Sequence, residues 1–288
     1  MGRVTGFGSL STDLPWSGVG GCGRGIVGGV DGWWSAVAEL VLPAECFGCG
    51  SAGALACGRC REVLDGTEVR RVRPEPAAPG LPGVSAAVAY EGVVRTLLLA
   101  YKERGALGLA GPLGGALAAA VRHGATRADR GAGPVVLVPV PSAARAVRAR
   151  GHDHVLRLAR VAAGRLRAEG CAARVVPALA LAREVRDQAG LGARERRANL
   201  AGAVRVRAGA VRLLREVPGR TTVVLVDDLM TTGSTIAEAA RALRAADVEG
   251  VQRGDRSIRP GGAGERITGA VRAAVVAVSP RAFEINRK

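Results

Sequence analysis

Short apolar runs alternate along this chain with stretches of helical periodicity. "VSAAVAY", Val84 to Tyr90, is a run of strand length. "GVVRTLLLAYKERG" follows, with Val93, Val94, Leu97, Leu98 and Tyr101 at helical spacing and Gly105 as a stop. "ALGLAGPLGGALAAAVRH" predicts a second helix, started or broken at Pro112, and "PVVLVPVP" a buried strand ended by prolines. His154 to Arg167 reads as a helix with Val155, Leu158, Ala159, Ala162 and Leu166 on one face. "RVVPAL" and "GAVRV" are short strand candidates around the polar stretch 182–198. "TTVVLVD" is the plainest strand, "TIAEAARALRAA" a helix with Ile236, Ala239, Ala240 and Leu243 inward, and "GAVRAAVVAVS" a last strand. Strands alternating with helices predict an α/β fold, a mostly parallel sheet flanked by helices.

The segments before this pattern differ. Residues 1–31 are Gly-rich and aperiodic, a disordered tail by composition. Residues 32–66 hold a short amphipathic helix, "WWSAVAELVL", and a cysteine cluster. Residues 67–83 are rich in Arg and Pro and read as an extended linker. The α/β domain fills 84–288, with a polar insertion after Glu249.

The plainest strand runs into "DDLMTTGST". In parallel sheets, ligands sit beyond the carboxyl ends of the strands, so Asp227 and Asp228 are expected at that edge. Two adjacent carboxylates need a cation, or hydroxyls that donate to them, and a ribose offers two vicinal hydroxyls. Thr235-x-x-Glu238 has capping-box spacing, which places a helix start at Thr235. The N–H groups and dipole of that first turn form an anion site. Thr231, Thr232, Ser234 and Thr235 add hydroxyls, and Gly233 permits a close backbone approach. The pattern points to a sugar carrying a phosphate. A nucleoside triphosphatase would need a Gly-Lys-Ser/Thr loop, and the chain contains no Gly-Lys pair.

Cys46-x-x-Cys49 and Cys57-x-x-Cys60 make a four-thiolate zinc site geometrically easy. Iron–sulfur, redox thiols and unliganded cysteines are the alternatives.

Composition adds a question about partners. The formal net charge is +16, which attracts nucleic acid without regard to sequence. The excess is Arg spread along the whole chain, a bias of composition rather than a patch. Aromatic residues make up 3%, too few for an evident base-stacking platform. No apolar run of membrane-spanning length occurs, and the start lacks a signal-peptide block, so the default location is the cytoplasm without membrane insertion.

"YEGVVRTLLLAYKERG", "PVPSAARAVRARGHDHVLRLAR", "RDQAGLGARERRANL" and "VVLVDDLMTTGST" occur in this order over most of 85–240. Together they resemble the ComF family of the type I phosphoribosyltransferase superfamily. The resemblance implies a phosphoribosyltransferase-like domain with an N-terminal zinc module. It implies binding of phosphoribosyl pyrophosphate with Mg²⁺, and pentosyl transfer to an unidentified acceptor. Non-catalytic sensing, or an accessory role with single-stranded DNA and DNA-uptake proteins in competence, are the alternative readings. Asp227 and Asp228 would be the catalytic acids. Arg145 and Arg150, after the "PVP" strand, would meet the pyrophosphate, and Lys102 would touch a phosphate. Arg183, Gln188, Arg196 and Asn199 would belong to a flexible loop that closes over the substrate.

Overall fold

The structure is a computed structural model that describes residues 45–65, 68–126, 133–183, 193–215, 221–252 and 271–284. The helix expected at 33–42 lies outside these residues, as do Gln188 and the stretch 253–270.

Helix α1 (Gly58–Asp65) closes the cysteine segment. The sheet then begins earlier than the sequence predicts. Strand β1 (Arg70–Val72), within the stretch read as linker, pairs antiparallel with β2 (Val84–Ala89). Helix α2 (Gly92–Glu103) and a 3₁₀ turn (Leu107–Leu109) lead to α3 (Ala110–Thr126) and β3 (Val135–Pro139). Pro112 falls within the first turn of α3, where its missing N–H costs nothing. Next come α4 (Ala144–Arg150), α5 (His154–Ala168) and β4 (Ala173–Val175). Strands β5 (Leu179–Leu181) and β6 (Val204–Val206) enclose α6 (Ala193–Leu200), and α7 (Ala210–Arg215) follows. The chain then runs through β7 (Thr222–Met230), α8 (Ser234–Gln252), β8 (Arg272–Val278) and α9 (Pro280–Glu284).

Six strands form one sheet in the order β1-β2-β8-β7-β3-β4, parallel except for β1. A separate antiparallel ribbon joins β5 and β6. The central strands are apolar on both faces because helices cover both. Val224 and Val226 belong to the core beneath α3 and α5, whereas Val223 and Leu225 belong to the core beneath α8. The insertion after Glu249 does not displace the last strand. β8 lies in the middle of the sheet, between β2 and β7. The crossover out of β7 runs to β8 on one side, and that out of β3 runs to β4 on the other. The carboxyl ends of β7 and β3 therefore flank the topological switch point, where such sheets bind ligands. Among the described residues no helix is long and apolar enough to cross a membrane.

Candidate functional site at the carboxyl edge of the sheet

Pairing between β7 and β3 ends at Val226 and Pro139, and the N–H of Val140 donates to the carbonyl of Val226 at 2.9 Å. Asp227 is thus the first β7 residue beyond its β3 partner. On the other side β7 stays paired with β8 as far as Met230. The acids therefore lie inside the strand rather than at its end, braced by β8 on one side and open at the switch point on the other.

Their neighbours differ. Asp228 is buried, 5 % exposed, and its Oδ2 lies 3.4 Å from Lys102 Nζ and 3.4 Å from His154 Nε2. Asp227 is half-buried, and its Oδ1 accepts from the N–H of Asp228 at 2.9 Å. Burial alone would raise both carboxyls. At Asp228 the His154 hydrogen bond and the Lys102 charge more than offset it and hold the group well below the usual carboxylate range. Asp227 is pushed well above that range, by burial first and then by the charge on Asp228. The pair therefore carries one charge more readily than two.

Lys102 does not act alone. It sits between Tyr101 and Glu103 in the last turn of α2, and all three reach the same cluster. The Tyr101 hydroxyl donates to the carbonyl of His154 at 2.9 Å, and Glu103 Oε2 lies 3.8 Å from Arg150 Nε. The Lys102 ammonium is stabilised chiefly by the Asp228 carboxylate, which raises its pKa against the effect of burial. Burial raises the Tyr101 phenol as well, so it remains a donor.

His154 is a candidate-site residue that sequence reasoning missed: in the sequence it stands only as the first residue of a predicted helix. Asp153 caps α5, accepting from the N–H of Leu156 at 3.1 Å, and His154 is buried, 4 % exposed. The signal was present in its spacing. His154 precedes Leu158 and Ala162 by four and eight positions, on the face that α5 buries. His152 turns Nδ1 to the carbonyl of Arg150 at 2.9 Å, and its buried Nε2 has no hydrogen-bond partner among the described residues.

The hydroxyl loop follows directly. Gly233 has φ +74, and a Cβ there would stand 2.9 Å from Leu81 Cδ1. Its carbonyl accepts from the N–H of Ala237 at 2.9 Å, so Gly233 is the residue from which the 19-residue α8 starts. The side chains of Thr232 and Ser234 hydrogen-bond at 3.0 Å. Thr231 is exposed and Thr235 half-buried. The expected capping box does not form. Glu238 reaches across to the ribbon instead, accepting from the N–H of Val204 at 3.3 Å and from Arg241 Nη2 at 2.7 Å. Local spacing suggested a cap, and a partner 34 residues earlier in the chain takes its place.

The remaining candidates separate into two groups. Arg145 is exposed on α4, while Arg150 turns inward and places Nη1 3.1 Å from His154 Nδ1. Arg183 Nη2 donates to the carbonyls of Asn199 and Ala201, at 2.8 and 3.2 Å, tying the end of β5 to the end of α6. Arg196 lies on α6.

The four cysteines converge. The Sγ atoms of Cys46, Cys49, Cys57 and Cys60 all lie within 4.8 Å of one another. Four sulfurs about 2.3 Å from one tetrahedral ion would be about 3.8 Å apart. Gly48 allows the turn between the first two, since a Cβ there would stand 2.7 Å from Cys60 Sγ. Burial opposes ionisation of Cys46, yet N–H groups of Cys57, Cys49 and Gly48 outweigh it and lower the thiol. The Ser51 hydroxyl, with its N–H and the neighbouring sulfurs, lowers Cys49 to about 6. Burial and the adjacent sulfurs raise Cys60. Crowded sulfurs with N–H donors turned toward them suit a soft cation, and this cluster could hold a metal ion such as zinc.

Residues 114–253 match the family model of the phosphoribosyl transferase domain. The match runs from α3 to the end of α8 and contains the acid pair and its loop. The match agrees with the mostly parallel sheet flanked by helices. No curated protein matches the chain.

Proposed function

We propose that the crevice at the switch point binds phosphoribosyl pyrophosphate, and that the protein transfers its phosphoribosyl group to an acceptor nucleophile in the manner of a ComF-like phosphoribosyltransferase. One observation carries this reading. An acid pair at the switch point is followed, five residues after Asp228, by the left-handed Gly233 that starts a long helix. That spacing suits a ribose whose hydroxyls donate to the acids while its 5-phosphate meets the first turn of α8. Thr231, Thr232, Ser234 and Thr235 supply hydroxyls to the phosphate oxygens.

In transfer, the bond from the anomeric carbon to pyrophosphate oxygen breaks, and the pyrophosphate leaves with the electron pair. The acceptor forms the new bond at the same carbon. Mg²⁺ bound with the substrate would neutralise the pyrophosphate. Asp227 and Asp228 fix the ribose and offset the positive charge that develops on it. Arg145 and Lys102 supply cations at the edge where the leaving group emerges. Arg183 and Asn199, at the base of the β5–β6 ribbon, anchor the segment that would exclude water. Zinc at the four cysteines would have a structural role, because protein ligands fill all four positions.

Calorimetry tests the site. Phosphoribosyl pyrophosphate binds the wild type, and a protein carrying Asp227→Asn and Asp228→Asn does not bind it. Equal affinity in the two proteins would refute the assignment. Pyrophosphate release, measured with nucleobases, amines and oligonucleotides as acceptors, tests transfer. Binding without release across that panel would favour sensing.

A further inference from the structure

We infer that His154 is a positioning residue for the acid pair: Arg150 fixes its tautomer, and the resulting Nε2–H orients the Asp228 carboxylate. This inference rests on the reading of the crevice as a phosphoribosyl pyrophosphate site. It reassigns Arg150, for which the family resemblance implies contact with the leaving group.

The tautomer follows from the donor inventory. A guanidinium has five N–H donors and no acceptor. Arg150 Nη1 faces His154 Nδ1 at 3.1 Å, so that nitrogen offers its lone pair. The ring proton is therefore on Nε2, the atom that faces Asp228 Oδ2 at 3.4 Å. The contact is long for a hydrogen bond, as such bonds often are before a ligand tightens them.

The surroundings fix the ring. The backbone carbonyl of His154 accepts the Tyr101 hydroxyl, and Asp153 pins the helix start beside it. Arg150 is held by Glu103 on one side and, through its carbonyl, by His152 on the other. Lys102 meets the same Oδ2 at 3.4 Å, but an ammonium on a flexible stem supplies charge without direction. The imidazole N–H supplies the direction. Lys102 adds charge at Asp228, and His154 sets which way the carboxylate faces.

Two substitutions separate the two halves of the ring. His154→Gln can keep a donor near the Nε2 position, and His154→Asn can keep an acceptor near the Nδ1 position. The reading predicts that H154N weakens phosphoribosyl pyrophosphate binding by about tenfold to a hundredfold, the range for a hydrogen bond to a charged group. H154Q recovers most of that loss. Thermal melting should show the two variants equally folded, because each keeps one of the two contacts. Equal affinity of H154N and wild type, or H154Q no better than H154N, would overturn the proposal. NMR of the wild-type imidazole needs no variant and no ligand. A proton on Nε2 is expected, and a proton on Nδ1 would overturn the tautomer assignment. Failure of the wild type to bind phosphoribosyl pyrophosphate would instead overturn the function, and leave the tautomer result to decide the Arg150–His154 link.

Discussion

Asp227 and Asp228 are adjacent and chemically identical, yet the structure predicts opposite effects on stability when each is changed to Asn. Asn matches Asp in shape and keeps a carbonyl oxygen, so the exchange removes charge and little else. At Asp228 the charge is needed. At 3.4 Å from Lys102, an effective dielectric of 20 gives an attraction of about 5 kcal/mol. Lys102 is 33% exposed, so solvent screens part of this, and the net loss is about 2–3 kcal/mol. For a domain of this size that lowers Tm by about 5–10 °C. At Asp227 the charge is a burden, because burial and the neighbouring carboxylate outweigh the Lys102 charge. Asp227→Asn keeps the oxygen that accepts from the N–H of residue 228 and relieves about 1–2 kcal/mol, raising Tm by about 2–5 °C.

The pH dependence has a definite sign. The carboxyl of Asp227 holds its proton more tightly in the folded chain, so the fold loses stability as pH rises from about 4, the unfolded value, through the raised folded one. The advantage of D227N is then absent near pH 4 and complete above the folded pKa. Asp228 is depressed, so its contribution is full above about pH 4 and fades as pH falls toward its folded value. Scanning calorimetry of the three proteins from about pH 2 to pH 8 checks both trends. Tm shifts of the same sign in the two variants at pH 8 would refute the reasoning. D227N should also fail to bind phosphoribosyl pyrophosphate despite its higher Tm.

Gly233→Ala must adopt φ +74 and push its Cβ into Leu81, which costs about 1–3 kcal/mol; melting checks this, and an unchanged Tm would show that the loop relaxes freely. Metal analysis should find about one zinc per chain, and chelation should lower Tm because the bound ion contributes folding energy. A purified protein without metal, melting unchanged in chelator, would refute the zinc reading.

The architecture was legible where burial is written into sequence. Apolar runs marked β2, β3, β7 and β8, and periodic faces marked α2, α5 and α8. What depended on long-range pairing was not. β1 is three residues, "RRV", whose strand character comes only from its partner Val84–Ala86. The apolar pattern of β8 predicts a strand but contains nothing that places it in the centre of the sheet. At the site, the acids and the glycine loop were legible because their chemistry is local. His154 was not, since its role needs Asp228, 74 positions away, and Arg150, whose residue type recurs throughout the chain.

Lys102 looks unusual in an Arg-rich chain, and the structure gives a physical reason for it. The residue must approach a buried carboxylate already touched by an imidazole, so space for the cation is narrow. A planar guanidinium would present its fork to Asp228 and compete with the His154 N–H for the same oxygen. An ammonium is compact and accepts whatever angle remains. Arginine is the better choice at residue 150, because a fork can face His154 Nδ1 with one nitrogen and Glu103 with another. The two cations thus differ by function. One neutralises the acid, and the other orients the group that aims it. Because Tyr101, Lys102 and Glu103 are consecutive on α2, a shift of that helix would disturb the charge, the imidazole backbone and the arginine together.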